Sequence, residues 1–164
     1  MNFEKIDIIV SEIDGIITND IKPIDHMNYT MFKNYCDRDF EAINELKRFF
    51  TFVFLASDPD VSYNVMRTRN IPAYFVKEKE NKEFVLSKIM NKYNMTPENL
   101  LYLGSKLSDV HNMTYAEISF TTAKTNIKLQ QAAKKVLTSD PGHGVIGEVC
   151  NILYPEMEKR QRNS

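Results

Sequence analysis

Short apolar runs alternate along the chain with stretches in which apolar residues recur at helical spacing, a pattern typical of strands followed by helices. The runs predict strands at 6–10, 51–55, 73–76, 100–103, 118–121 and 136–137. The helical spacing predicts helices at 39–50, 59–69, 80–93, 108–115, 125–135 and 144–154. Asp39 and Asp58 are the predicted N-caps of the first two helices, with Pro59 opening the second. The predicted fold class is therefore α/β, in three α/β/α layers around a mostly parallel sheet.

Composition and charge describe an ordinary globular chain. Of its 164 residues, 43% are hydrophobic, and we expect one domain over 1–154 followed by a polar, frayed tail at 155–164. The 21 basic and 22 acidic residues give a net charge of −1, so we expect neither nucleic acid nor a membrane as a partner. The two cysteines cannot build a disulfide framework, which favours the cytoplasm as the location, with the nucleus as the alternative.

Two acidic residues directly follow the first predicted strand. They are Glu12 and Asp14, and Gly15 comes next, where it allows a tight turn. Ligand sites in parallel α/β sheets lie beyond the carboxyl ends of the strands. Because the two side chains are two residues apart, both can reach into one cleft there. The pair therefore indicates a chemical site, and the alternative interpretation is a solvated pair at the end of a strand.

Two more predicted strands end in polar segments at the same edge of the sheet, at 56–57 and 104–109. Together with the acidic pair, these segments resemble the motifs of the haloacid dehalogenase (HAD) superfamily of phosphotransferases, whose fold is Rossmann-like. The resemblance is closest to the small phosphatases that act on 3-deoxy-octulosonate 8-phosphate. It extends to the C-terminal domain of the animal cytidylyltransferases that make CMP-sialic acid, and it covers residues 6 to about 154.

The resemblance implies a role for each motif position. It implies Glu12 as the nucleophile, Asp14 as the general acid and base, and Lys82 as the cation that balances them. The implied Mg²⁺ ligands are Glu12, Asp14, Ser105 and Asp109. The implied phosphate-binding positions are Ala56, Ser57, Gly142 and Gly144.

Several of these positions depart from the family pattern. Glu12 stands where the family has aspartate and is one methylene longer, and a displacement of ~1 Å at a reacting atom can cost on the order of 100-fold in rate. Ala56 lacks the hydroxyl that would bind the phosphoryl group. Ser105 and Lys106 replace two aspartates, although Mg²⁺ prefers anionic oxygen ligands. We therefore expect Mg²⁺ binding to be weak or lost.

Two substitutions are expected to block the site. The Lys106 ammonium is predicted to approach the vacant metal position and to pair with Glu12 or Asp14. Phe40 replaces a family glycine, so its ring is predicted to fill space that a substrate would use. The alternative interpretation of Phe40 is a core residue of the first helix.

The segment 17–35 corresponds in the family to a short β-hairpin that takes the place of a full cap and packs between four subunits. Its predicted arms are 16–18 and 27–32, and it carries several apolar residues: Met27, Tyr29, Met31 and Phe32. The resemblance therefore implies a homotetramer, with a cytidylyltransferase domain as a second implied partner.

The combined losses at positions 12, 105 and 106 favour a catalytically degenerate domain. Such a pseudoenzyme would serve as an oligomerisation, binding or regulatory module in sialic acid or related nonulosonate metabolism. The alternative is an active but altered Mg²⁺-dependent sugar-acid phosphatase, of the 3-deoxy-octulosonate 8-phosphate or acylneuraminate 9-phosphate type.

Overall fold

The computed structural model describes residues 1–57, 61–77 and 79–164, and it confirms the three-layer α/β/α fold. In these residues the strands are β1 (Ile8–Ser11), β2 (Thr51–Ala56), β3 (Ala73–Phe75), β4 (Leu100–Leu103), β5 (Ile118–Thr122) and β6 (Lys135–Leu137). The helices are α1 (Asp37–Leu46), α2 (Val61–Thr68), α3 (Lys82–Lys92), α4 (Val110–Tyr115), α5 (Ile127–Ala132) and α6 (Val145–Asn163). Asp58 and Pro59, predicted to begin a helix, lie outside the described residues.

The described strands form one sheet in the order β3-β2-β1-β4-β5-β6, and each neighbouring pair is parallel. β1 is central, and its neighbours β2 and β4 are its partners in register, with Ser11 opposite both Phe54 and Leu103. Successive strands run to one side of β1 from β1 to β3 and to the other side from β4 to β6, so the switch point lies between β1 and β4. Such a switch point opens a crevice at the carboxyl ends of the strands.

Alternate residues of the central strands face two separate cores. Ile9 of β1 packs in the core that also contains residues of α1 and α6, whereas Ile8 and Val10 pack in the core with α3, α4 and α5. Since side chains of a strand alternate between the two faces, a continuous apolar run is what a strand covered on both faces requires. The strand predictions succeeded for this reason.

The predicted hairpin is reduced to a single antiparallel bridge between Ile24 and Thr30. The backbone nitrogen of Asp25 donates to the Tyr29 carbonyl at 3.0 Å, which closes a tight turn around Asn28, a residue in the left-handed region. The expected first arm, 16–18, instead belongs to a turn in which Ile16 and Ile17 are buried. The remaining segment between β1 and α1 is irregular.

The C-terminal tail is helical, in contrast to the frayed tail that its polar sequence predicts. α6 continues through Pro155 to Asn163, and Met157 is buried in the core. Arg160 fixes the end of the helix, because its guanidinium donates to the backbone oxygens of Ile6 at 2.6 Å and Phe49 at 3.2 Å. In the residues that the structure describes, no helix combines the length and apolarity that crossing a membrane requires.

Candidate active site

A pocket of about 380 Å³ lies at the carboxyl ends of the central strands. Its lining residues are Glu12, Asp14, Lys22, Ser57, Lys106 and Ser108. The acidic pair extends β1 and Ser57 follows β2, while Lys106 and Ser108 belong to the segment after β4. The predicted convergence of three strand ends on one site therefore holds in the structure.

Glu12 and Asp109 share one buried cation, Lys82. Asn81 caps α3 by accepting from the backbone nitrogen of Phe84 at 2.8 Å, and Lys82 is the first residue of that helix. The Lys82 ammonium donates to Glu12 Oε2 and, at 2.7 Å, to Asp109 Oδ1. The three side chains are each no more than 2% exposed, so this is a fully buried cluster of ionisable groups.

The electrostatics of this cluster follow from its burial. Burial raises the pKa of Glu12 to about 7, and the nearby Asp109 charge adds to the rise while the Lys82 ammonium opposes it. Burial acts to lower the pKa of Lys82, but attraction to Glu12 and Asp109 outweighs it and raises that pKa. Burial, with the adjacent Asp109, raises the pKa of Tyr102 well above its usual range, so its hydroxyl stays protonated. Lys82 is therefore a permanent cation at neutral pH.

Asp109 is saturated with hydrogen bonds. Oδ1 accepts from Lys82 and from the Tyr102 hydroxyl, both at 2.7 Å. Oδ2 accepts from the backbone nitrogens of Ser105 at 3.0 Å and Lys106 at 2.8 Å. Asp109 thus holds the turn after β4 in place as well as binding Lys82.

Asp14 is paired with two lysines that sequence reasoning missed. Lys33 lies 2.9 Å from its carboxylate and Lys22 lies 2.9 Å from Oδ2, and the Thr18 hydroxyl donates to Oδ1 at 2.9 Å. Burial acts to raise the pKa of Asp14, but the hydrogen bonds from Lys22 and Lys33 outweigh it and lower that pKa. Lys33 also donates to the Ser62 hydroxyl of α2 at 3.0 Å. Asp14 is therefore held as a carboxylate.

These two lysines lie in the segment between β1 and α1, which the sequence motifs linked to assembly alone. The available signal was a pair of lysines, Lys22 and Lys33, in a segment that begins three residues after Asp14 and carries several large apolar residues. The side chain of Lys33 is 2% exposed, and a buried lysine needs a carboxylate partner.

Lys106 pairs with Asp20 rather than with Glu12 or Asp14. The expected partners are already bound by Lys82, Lys22 and Lys33, so no carboxylate of the acidic pair needs another counter-charge. The Lys106 ammonium is one-third exposed and remains in the lining of the pocket. The predicted pairing in the metal position is therefore wrong, although the residue does face the site.

Phe40 packs in the core instead of blocking the pocket. Its ring lies 5.6 Å from the ring of Tyr35, and the Arg69 guanidinium stacks over it at 3.8 Å. It is 4% exposed and is not among the residues that line the pocket at Glu12. The alternative interpretation, a helix core residue, describes Phe40 correctly.

The predicted phosphate-binding positions divide into two groups. Ser57 lines the pocket, and Ala56 ends β2 beside it, where its methyl group is buried. Gly142 and Gly144 are not in the pocket lining, and their N–H groups donate to the Ile16 carbonyl at 2.9 Å and to Asp39 at 3.3 Å. Because protein oxygens take both N–H groups, these two glycines do not offer them to a phosphate within this chain.

The residues present do not fit a divalent cation in the implied ligand set. Among the described residues, no three or more carboxylate, histidine or cysteine side chains are grouped to hold a metal. Glu12 Oε1 accepts from the Ile13 backbone nitrogen at 2.9 Å, and the Asp14 carbonyl accepts from the Ser105 hydroxyl at 2.5 Å. Ser105 therefore supplies a donor where the family pattern has a carboxylate.

A parallel sheet with an acidic pair directly after its central strand is the arrangement that a HAD-like α/β domain has. The family described as haloacid dehalogenase-like hydrolase matches residues 11–148, and the chain belongs to that family. No curated protein sequence is a significant match.

Solved structures of similar fold agree with this assignment. A protein of Streptomyces avermitilis described as a HAD family hydrolase is 26% identical, with 96% of each chain covered and a TM-score of 0.85. The cobalt-bound deoxy-D-mannose-octulosonate 8-phosphate phosphatase of Haemophilus influenzae is 21% identical, covering 96% of this chain and 92% of that one, with a TM-score of 0.86.

A third structure is the 3-deoxy-D-manno-octulosonate 8-phosphate phosphatase of Moraxella catarrhalis in complex with magnesium, phosphate and the sugar acid. It is 15% identical, covering 93% of this chain and 87% of that one, with a TM-score of 0.83. At these identities, the likeness to the last two structures establishes the fold alone.

Proposed function

We propose that this chain hydrolyses the phosphomonoester of a small acidic sugar, with altered machinery, at the pocket beyond β1. The observation that supports this most directly is that both acidic residues, Glu12 and Asp14, line one pocket with hydroxyl and ammonium groups. A phosphomonoester needs such donors for its oxygens and a carboxylate for attack at phosphorus. Membership of the haloacid dehalogenase-like hydrolase family supports hydrolysis, and the names of two solved neighbours supply the substrate class, a sugar-acid phosphate.

In the proposed reaction a Glu12 oxygen attacks phosphorus, and the bond between phosphorus and the sugar oxygen breaks. The sugar oxygen takes a proton from solvent water, and an acyl phosphate forms on Glu12. Water then hydrolyses the acyl phosphate and regenerates the carboxylate. Asp14 is ionised and can accept the proton of that water, although Lys22 and Lys33 lower its pKa and so make it a weak base. Each Glu12 oxygen accepts one hydrogen bond and keeps a second lone pair for attack at phosphorus. We expect slow turnover because Glu12 is one methylene longer than the family's aspartate.

A specific observation favours a second candidate, a catalytically degenerate binding or regulatory module. Both oxygens of Glu12 are already bound, one by the Ile13 nitrogen and one by the buried Lys82 ammonium. These contacts hold the carboxyl group in one position, and its pKa of about 7 leaves part of it protonated, and hence unreactive as a nucleophile, at neutral pH. In this case the pocket would bind an acidic sugar, of the sialic acid or nonulosonate type, for a partner such as a cytidylyltransferase domain.

We also propose that the chain assembles as a homotetramer through the segment 17–35. This segment exposes a group of large apolar side chains: Ile21, Ile24, Met27, Tyr29, Met31 and Phe32. Light scattering after gel filtration is expected to give four times the chain mass, and Phe32→Asp is expected to lower it. Phe84→Asp is the matched control, because Phe84 is as exposed as Phe32 but lies on α3. A monomeric wild type would refute the assembly.

Phosphate release from 3-deoxy-octulosonate 8-phosphate and acylneuraminate 9-phosphate tests the hydrolase. Wild type is expected to release phosphate, and Glu12→Gln to lower the rate by about 100-fold or more. Glu83→Gln, an exposed change on α3, is the control for the same loss of charge. If wild type and Glu12→Gln release phosphate equally, hydrolysis at Glu12 is wrong. Calorimetric binding of the same sugars without turnover would then support the second candidate.

A further inference from the structure

The lysines around the pocket differ in how firmly their carboxylate partners hold them. They are Lys22, Lys33, Lys82 and Lys106, and each forms an ion pair. We propose that Lys106 leaves its partner Asp20 to bind the phosphate oxygens of the ligand, so that it determines which ligands the pocket accepts. This inference rests on the proposed function, because it names a residue of the same pocket that contacts the substrate.

The other lysines are committed to buried carboxylates. The side chains of Lys82 and Lys33 are each 2% exposed, and their partners Glu12 and Asp14 are buried. Lys22 shares Asp14 with Lys33. If any of these three lysines turned toward a ligand, a buried carboxylate would lose a counter-charge, which is strongly unfavourable.

The ion pair between Lys106 and Asp20 differs because water reaches both of its ends. The side chain of Lys106 is 34% exposed and that of Asp20 is 43% exposed. Ion pairs this exposed contribute little net stability, since water solvates each ion once the two separate. Asp20 can therefore be left to water while the Lys106 ammonium turns to another anion.

Lys106 is also placed to reach the phosphate of a ligand bound for attack by Glu12. Both residues line the same pocket, together with the serines Ser57 and Ser108. The Lys106 backbone is fixed, because its nitrogen donates to Asp109 Oδ2 at 2.8 Å, so only its long side chain has to move. A phosphate dianion has several oxygens that accept hydrogen bonds, and an ammonium group with nearby hydroxyl groups can satisfy them together.

The resemblance to the family does not imply this contact, because the family pattern has an aspartate at position 106. The positions that it does assign to phosphate offer few donors in this chain. Ala56 has no hydroxyl, and the N–H groups of Gly142 and Gly144 donate to protein oxygens. Lys106 supplies a charge and donors that these positions do not.

Titration with inorganic phosphate, followed by ³¹P NMR, tests the proposal in wild type, Lys106→Met, Asp20→Asn and the double variant. Lys106→Met is expected to weaken phosphate binding by about 10-fold, because a charged hydrogen bond is lost. Asp20→Asn is expected to tighten it by about 2-fold or more, because the ligand no longer competes with a carboxylate for Lys106. Lys88→Met should bind phosphate as wild type does, since Lys88 is an exposed lysine on α3.

The double variant separates a direct contact from the long-range effect of charge. If Asp20→Asn acts by releasing Lys106, it should have no effect on phosphate binding in the Lys106→Met background. Additive effects of the two substitutions would overturn the proposal, because charge alone would then explain both. If Lys106→Met does not fold, Lys106→Gln takes its place with the same expectations.

Three further results would overturn the proposal. They are a wild type that does not bind phosphate, equal binding by wild type and Lys106→Met, and weaker binding in Asp20→Asn as well as in Lys106→Met. The last result would mean that the ion pair only supports the structure. Titration with phosphate-free 3-deoxy-octulosonate provides a fourth arm. If Lys106→Met weakens binding of this sugar acid but not of phosphate, Lys106 binds the sugar carboxylate and the proposal is wrong.

These results are separate from the test of hydrolysis. A wild type that binds phosphate through Lys106 but releases none from sugar phosphates would support this inference and refute the hydrolase. A wild type that hydrolyses sugar phosphates with the same KM as Lys106→Met would support the hydrolase and refute this inference.

Discussion

The carboxylate of Asp39 lies 2.8 Å from the backbone nitrogen of Ile146 and caps the first turn of α6 from a position 107 residues earlier in the chain. The same carboxylate accepts from the nitrogens of Gly144 and Gly147 at 3.3 and 3.2 Å. Helix N-termini attract anions because their first N–H groups have no partner within the helix. Here a buried side chain of α1 is that anion, so α1 and α6 are joined by more than apolar contact.

Replacement of Asp39 by alanine is expected to lower the free energy of unfolding by about 2 kcal/mol, because up to three N–H groups lose their acceptor in a buried setting. Denaturant unfolding followed by circular dichroism measures the change. Asp37→Ala is the matched control, since Asp37 is exposed in the first turn of the same helix. Equal losses in the two variants would contradict the cap at α6.

Lys33 is expected to be a larger contributor to stability than a surface lysine. Lys33→Met leaves the buried Asp14 carboxylate with one fewer partner, and breaking such a pair costs about 3 kcal/mol. The pKa of Asp14 should rise in this variant, because one of the two ammonium groups that lower it has gone. Carboxyl NMR titration and denaturant unfolding provide the two measurements, with Lys88→Met as the control. An unchanged Asp14 titration would show that Lys22 alone sets its pKa.

Arg160 is expected to hold the end of α6 against the residues just before β1 and just after α1. Arg160→Met removes donors to the Ile6 and Phe49 carbonyls and should increase amide hydrogen exchange in the last two turns of α6. Arg162→Met is the control, because the Arg162 side chain is 75% exposed and pairs with Glu158 of the same helix. If both variants exchange alike, the tail is helical for reasons other than this anchor.

The sequence predicted the elements of this fold better than the contacts between them. Strands such as β1 can be predicted because a strand buried on both faces must be continuously apolar. The position of the acidic pair in the site could be predicted because the pair directly follows the end of β1. The cap formed by Asp39 on α6 was not predictable, since it joins residues more than 100 positions apart and no local period encodes it. Asp39 was instead assigned to its own helix, which begins at Asp37.

In the site, as in the fold, the residue types could be predicted from the sequence but the contacts between them could not. The replacements at Ser105 and Lys106 are visible in the sequence, and both residues lie at this edge of the sheet, with Lys106 in the lining of the pocket. Which lysine meets which carboxylate depends on the path of the irregular segment after β1, which carries Lys22 and Lys33 to Asp14. Lys106 was assigned to the acidic pair because that path, and hence the lysines already there, could not be foreseen.

Glu148 gives the fold a pH-dependent contribution that is independent of the site. Its carboxylate accepts from the backbone nitrogens of Thr138 at 3.0 Å and Ser139 at 2.7 Å, which ties α6 to the chain after β6. Burial acts to raise the pKa of Glu148, but these hydrogen bonds outweigh it and lower that pKa below the ordinary 4.5. A lowered pKa in the folded state means that the unfolded chain binds the proton more tightly.

The stability that Glu148 contributes is therefore fully present above about pH 4.5 and is lost as the pH falls through its folded pKa. Because Glu148 is only partly buried, solvent screens its carboxylate, and we expect a contribution below about 1 kcal/mol. Glu148→Gln should be less stable than wild type at neutral pH, and the difference should vanish in acid. Urea unfolding over a pH series measures it, with Glu158→Gln, also in α6, as the control. If the difference in stability persists unchanged in acid, the charge of Glu148 is not what joins α6 to the chain after β6.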